Sequence, residues 1–151
     1  MIREVESKDL DSLLELYLHL HETTIPEHDE HLKDTWDTII NDPNYHIVVC
    51  EEDGKIVSSC VCLVVPNLTR NVRPYALIEN VVTHKEYRGK GYATGCLNFA
   101  KEIAVANNCY KMMLMTGSKN PKTLKFYENA GYSSSDKTAF NLKLEEVHFA
   151  Y

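Results

Sequence analysis

Residues 88–91 read Arg-Gly-Lys-Gly and stand at the entrance to a helix-forming run. Glycines allow positive φ and let a backbone approach a ligand closely. The first N–H groups of a helix have no internal partner and sit at the positive end of its dipole, so such a turn suits a phosphate or pyrophosphate. Three cations, Lys85, Arg88 and Lys90, stand here against one carboxylate, Glu86. A nucleotide-hydrolysing loop would need Ser or Thr after its Gly-Lys, and Gly91 follows Lys90. A dinucleotide fingerprint would need glycine at position 94, where Thr94 stands. The glycines alone leave a phosphate loop and a plain tight turn both open.

Other residues could do chemistry. Glu79 interrupts an otherwise apolar stretch, "YALIENVVT", and a carboxylate so placed needs a partner or a cleft; it is the candidate base, acting through a water. Beside it, Asn80 could orient a substrate. Arg70 and Arg73 lie in "NLTRNVRPY" and could hold an acidic acceptor. His21, His28 and His31 cluster with Glu27 and Asp29, but their spacing fits no metal site, so no metal is expected. The five cysteines include no CxxC pair and read as small buried residues of a reducing compartment.

The elements that must position these groups follow from periodicity. Residues 1–6 alternate like a strand, and Ser7 can cap a helix that carries Leu10, Leu13, Leu14, Tyr17 and Leu18 at helical spacing. A loop around Pro26 leads to a second helix near 31–40. Strands are expected over 45–51, 55–65, 75–83 and 111–115, with Asp53-Gly54 as a type I′ hairpin turn between the first two. A helix is expected over 93–106. Another starts at Asn120-Pro121 and stops at Gly131, and a last strand covers 137–145. This order gives a mixed α/β (α+β) fold in one domain spanning 1–151.

The chain has 151 residues, 44% of them apolar, which suits a globular domain with a real core. Its net charge of −6 argues against general nucleic-acid binding. The sequence begins without a signal-like apolar segment, and no stretch reaches the roughly 18 apolar residues of a membrane span, so a cytoplasmic protein is expected.

Read as Arg88-x-x-Gly91-x-Ala93, the opening turn resembles the pyrophosphate loop of the GNAT superfamily of acyl-CoA N-acyltransferases. The later segment "NPKTLKFYENAGY" is similar to the superfamily's Asn-x-x-Ala-x-x-x-Tyr-Glu-x-x-Gly-Phe, with Asn120, Tyr127, Glu128 and Gly131 in place and Thr123 and Tyr132 as departures. Within the superfamily, "IENVVTHKEYRGKG" and "CYKMML…KFYENAGY" look most like glucosamine-6-phosphate N-acetyltransferases, which usually carry Asp-Cys where Met115-Thr116 stands here.

The resemblance implies the GNAT fold, a splayed central sheet flanked by helices. It implies acetyl-CoA as co-substrate and a small-molecule amine as acceptor. Cofactor contacts would then come from Val81, Val82, Thr83, Arg88, Gly89, Lys90, Gly91, Tyr92, Ala93, Thr94 and Asn120. Tyr127 would serve the leaving thiolate, and a homodimer is compatible with such a domain. Acetylation of a glucosamine phosphate or of a protein N-terminus or lysine, and a non-catalytic acyl-CoA-binding module, are the other readings.

Overall fold

The structure is a computed structural model that describes residues 1–145. It divides into two compact units, Met1–Leu114 and Met115–Tyr151.

The first unit is built on a five-stranded sheet in the order β1-β2-β3-β4-β5. These strands are Ile2–Glu4, Tyr45–Glu52, Lys55–Val65, Tyr75–Thr83 and Met112–Met113. The first four pair antiparallel, and β4 pairs with β5 in parallel. β2 and β3 read as nearly continuous apolar runs because both of their faces are covered. On one face, Leu13 and Leu16 of α1 (Leu10–Tyr17) and Trp36 of α2 (Glu30–Asn41) pack against Ile47, Val49, Val61 and Val82. On the other lies α4 (Tyr92–Ala106), where the Cys60 thiol points to the Cys96 carbonyl at 3.6 Å and the Cys62 thiol to that of Ala100 at 3.9 Å. Each such aliphatic side chain stabilises by about 1.5–3 kcal/mol when fully buried. Cys50, Cys60, Cys62 and Cys96 are all free and buried, and burial pushes the Cys62 and Cys96 thiols up to about 12, which makes them inert. Gly95 lets α4 press close to β1: a Cβ there would run into the end of the Ile2 side chain.

The start of the chain departs from expectation. The cap expected of Ser7 does not form: Ser7–Asp9 is a 3₁₀ turn, and the side chain of Asp9, which precedes α1, reaches back to the Glu6 backbone instead of capping α1. Its Oδ2 accepts the Glu6 N–H at 2.7 Å and Arg3 Nη1 at 2.7 Å, while Oδ1 accepts Arg3 Nη2 at 3.1 Å. Asp9 is 6% exposed, and the Arg3 guanidinium holds its carboxyl below the usual range. A bidentate pair serves here because a short carboxylate reaches both the backbone and the arginine where a serine could not. Removing one partner of such a buried pair costs about 3–5 kcal/mol.

The β2–β3 turn has positive φ at both Asp53 (53°) and Gly54 (75°), as a type I′ hairpin requires. In the β3–β4 connection, α3 (Thr69–Val72) is a left-handed turn: Arg70, Asn71 and Val72 have φ of 56°, 61° and 62°. Asn67 Nδ2 staples it by donating to the Thr69 and Arg73 carbonyls, each at 3.1 Å.

In the second unit, α5 (Pro121–Asn129) begins at Asn120, whose side chain accepts the Lys122 N–H at 3.0 Å. It stops at Gly131, which has φ 100° and donates its N–H to the Glu128 carbonyl at 3.0 Å. Two expected strands fall short. The one at 111–115 is reduced to Met112–Met113. The one at 137–145 does not form: Phe140, Leu142 and Leu144 alternate, but the segment is exposed and has no ladder partner among the described residues. Alternation supplies two faces, and a strand also needs a neighbour.

Candidate active site

The site begins with a fault in the β3–β4 ladder. Ser59 pairs with Val82 and Val61 with Glu79, so Asn80 and Val81 stand opposite Cys60 alone. One extra residue on β4 makes a bulge there. Asn80 takes the left-handed conformation it requires, φ 50°, which asparagine tolerates better than most residues. The ladder is re-secured beyond it by Ser58 Oγ, which bonds the Val82 carbonyl at 3.0 Å and Thr83 Oγ1 at 2.8 Å.

The opposite edge of β4 is open. β5 covers it only at Ala76 and Leu77, and β4 runs on to Thr83 with no strand on that side among the described residues. The His84 N–H donates to the Val57 carbonyl at 2.8 Å, so alternation turns the backbone of Thr83 toward the open edge. That edge leads directly into the glycine turn. After a 3₁₀ turn over Lys85–Tyr87, Gly89 and Gly91 have φ of 77° and 84°, and Gly91 is the N-cap of α4. No side chain caps this helix, so the N–H groups of its first turn, Tyr92, Ala93 and Thr94, are available to an anion.

Arg88 is partly committed: its Nε donates to the Thr83 carbonyl at 3.1 Å and its Nη2 to the His19 carbonyl at 3.5 Å. It clamps the loop to the end of β4 while its charge stays beside the glycines. Lys90 lies over the Tyr87 ring at 5.3 Å, with Lys55 at 5.8 Å from the same ring. His19 and His84 stack with centroids 4.1 Å apart, and the Lys85 N–H reaches His19 Nδ1 at 3.5 Å. Sequence reading missed Lys55, His19 and Tyr87. The first two come from remote segments and have no local signal, while Tyr87 sits inside the motif itself.

Upstream of the bulge, Glu79 is exposed and makes no hydrogen bond or ion pair among the described residues. Tyr45 is its titratable neighbour, and burial followed by the Glu79 charge pushes the Tyr45 hydroxyl up. Burial pushes the Tyr17 hydroxyl, near Asn80, up to about 12 and so keeps it neutral. Tyr17 and Tyr45 had read only as core and strand residues. The structure thus gathers Glu79, Asn80, Tyr17 and Tyr45 around the bulge.

Arg70 and Arg73 stand in the β3–β4 connection. Arg73 donates to the Asn108 and Cys109 carbonyls, both at 3.2 Å, and Arg70 lies over the Tyr110 ring at 5.5 Å. They tie the β3–β4 connection to the segment before β5. His28 bonds Asp11 at 2.6 Å on the surface, and no group of three His, Cys, Asp or Glu side chains among the described residues could hold a metal. In the second unit, Tyr127 is half-buried on α5, with its ring 5.0 Å from Phe126 and 6.4 Å from Tyr132.

Comparison with known proteins agrees with this geometry. The model of the Acetyltransferase (GNAT) family matches residues 10–132. The chain is 32% identical over 137 residues to a glucosamine 6-phosphate N-acetyltransferase of Trypanosoma brucei brucei, covering 90% of both chains. A solved protein of Agrobacterium tumefaciens strain C58, assigned as an acetyltransferase, superposes with a TM-score of 0.87 at 39% identity, over 95% of this chain and 99% of that one. Glucosamine-6-phosphate N-acetyltransferase from Arabidopsis thaliana follows with a TM-score of 0.82 at 25% identity, over 94% of this chain and 97% of that one. A bulged strand with an open edge, running through a glycine turn into an uncapped helix, therefore sits in a chain that belongs to the GNAT family of N-acetyltransferases.

Proposed function

We propose that the chain transfers the acetyl group of acetyl-CoA directly to the primary amine of a small molecule. The observation that carries this reading is the continuous path from the open edge of β4 to the uncapped start of α4. A pantetheine arm can pair along Val81, Val82 and Thr83, while the pyrophosphate takes the N–H groups of residues 88–94 and the nearby charge of Arg88 and Lys90. Asn120 is assigned to the cofactor as well as to its helix cap.

In the transfer, the amine nitrogen bonds to the thioester carbonyl carbon and the C–S bond breaks. The Val81 N–H stabilises the carbonyl oxygen as charge develops, an effect of about 3 kcal/mol per donor. Glu79, whose carboxylate has no hydrogen bond or ion pair among the described residues, takes the proton lost by the amine through a water. Tyr127 gives a proton to the leaving thiolate; a phenol, ordinarily titrating at about 10 against about 8.5 for a thiol, is protonated at neutral pH and so has a proton to give. Asn80, Arg70 and Arg73 are the candidate acceptor contacts, the two arginines only where the acceptor reaches the 108–110 segment.

A second reading has its own support: the trypanosomal relative is named for glucosamine 6-phosphate, which makes that amino sugar the first acceptor to try. Free buried cysteines suit a reducing cytoplasm. Release of CoA thiol, followed with a panel that includes glucosamine 6-phosphate, other small amines and peptides, tests the proposal. Turnover with a small amine supports it, peptide-only turnover moves the acceptor class to proteins, and binding without turnover leaves a non-catalytic module. Gly89→Ala with Gly91→Ala forces alanine into positive φ at about 1–2 kcal/mol per residue and should raise the KM for acetyl-CoA at least tenfold. An unchanged KM removes the loop from the donor site.

A further inference from the structure

The glycine turn has a source of charge that its own motif does not supply. β3 begins at Lys55, directly after the Asp53-Gly54 turn, and its Ser58 pairs with Thr83, the last residue of β4. Lys55 therefore stands beyond the paired end of β4, where the chain enters the 3₁₀ turn and then the glycines. There its Nζ lies 5.8 Å from the centre of the Tyr87 ring, and Lys90 Nζ lies 5.3 Å from the same centre. The face of an aromatic ring attracts a cation, so one half-buried tyrosine draws together two exposed ammonium groups from separate segments.

Like charges held close repel, and no neighbour offsets these two. Neither Lys55 nor Lys90 makes an ion pair among the described residues, in a chain whose net charge is −6. The carboxylates closest in sequence do not pair with them: Glu52 takes the N-terminal ammonium at 3.4 Å, and Asp53 and Glu86 form no ion pair among the described residues. The pyrophosphate placed on the start of α4 already has the N–H groups there, with Arg88 and Lys90 beside them. Lys55 is a further cation, and it lies on the other side of the turn. β3 flanks β4 on one side, while the path assigned to the pantetheine follows the opposite, open edge. A donor laid along that edge and carried over the glycines turns its far end toward the β2–β3 hairpin. The far end of acetyl-CoA is an adenosine whose ribose carries one more phosphate, on its 3′ oxygen.

We infer that Lys55 is a specificity-determining residue for the donor: held over Tyr87 beside Lys90, its ammonium takes the 3′-phosphate of acetyl-CoA and selects the 3′-phosphorylated donor over its dephospho form. This deepens the acetyltransferase reading above and rests on it for the identity of the ligand.

The test is the affinity of CoA and of 3′-dephospho-CoA for the wild-type chain, Lys55→Met and Lys55→Arg, by titration calorimetry, which needs no acceptor amine. The wild type should bind CoA about tenfold more tightly than 3′-dephospho-CoA, the worth of one charge-assisted hydrogen bond. Lys55→Met keeps a flexible apolar stem near the ring and drops the charge. It should bring the ratio to about twofold or less by weakening CoA, with the affinity for 3′-dephospho-CoA changed less than about twofold. Lys55→Arg should keep the preference. A residue that only supported the turn would weaken both ligands alike on substitution. Equal binding of the two ligands by the wild type, an unchanged ratio in Lys55→Met, or equal weakening of both overturns the assignment. Preference for CoA that is lost in Lys55→Met, with no turnover of any amine, upholds the 3′-phosphate contact and removes the catalytic reading. A wild-type chain that binds neither ligand overturns both.

Discussion

Glu79 stands exposed one residue before the bulge, with Tyr45 as its titratable neighbour and no ion pair among the described residues. A carboxylate in that position can take a proton from an approaching ammonium. Glu79→Gln keeps the shape and removes the basicity, so kcat/KM at neutral pH should fall about 10²-fold, the usual worth of a general base. The loss should shrink as pH rises toward the pKa of the acceptor amine, since solvent then supplies the free base. Initial rates across that range check it, and a variant as fast as wild type at every pH removes Glu79 from the chemistry. This residue was legible because a carboxylate in an apolar strand is conspicuous. Tyr45, beside it, was not: a tyrosine at the start of an apolar strand looks like any core residue. Arg70 and Arg73 were as conspicuous in their loop, and the structure adds contacts that the sequence does not show, carbonyls for Arg73 and a tyrosine ring for Arg70.

At the level of elements, the glycine turn is supported from outside its own motif. The segment after α1 meets it where His19 stacks on His84, where the Lys85 N–H reaches His19 Nδ1 and where Arg88 reaches the His19 carbonyl. An imidazole nitrogen accepts only when unprotonated. Burial, followed by the His84 ring and the cations Arg88, Lys85 and Lys55, lowers the pKa of His19 below its ordinary 6.5. Because the folded value lies below the unfolded one, this support is fully present above about pH 6.5 and is lost as pH falls through the lowered value. The KM for acetyl-CoA should therefore rise as pH drops below that point. His19→Gln, which keeps an acceptor that does not titrate, should flatten the rise. An identical pH profile in the variant would show that His19 does not support the loop.

Elements with strong local chemistry were legible: the Asp53-Gly54 turn, α4 after its glycines, and α5 between Asn120 and Gly131. The left-handed turn at 70–72 was not, because arginine and valine give no sign of positive φ and Asn67 imposes it through side-chain bonds.

For the whole molecule, the expectation of one globular fold rested on composition, and the sheet with helices on both faces accounts for the apolar runs in β2 and β3. What composition could not tell is where an alternating segment finds its neighbour. Phe140, Leu142 and Leu144 are 90%, 81% and 58% exposed, in a stretch whose pattern is that of a half-buried strand. Three large apolar side chains exposed on one short segment are costly in water, and such a patch invites a partner. A second copy of the chain offers the same segment in a two-fold arrangement, in which each copy covers the other. The protein should accordingly behave in solution as a pair of 17.3 kDa chains. Phe140→Ser with Leu142→Ser should shift the mass measured by light scattering to that of a single chain, while the melting of the first unit, followed by the fluorescence of Trp36, changes little. A wild-type mass of one chain, or a double variant that remains paired, would show that this segment does not join two copies.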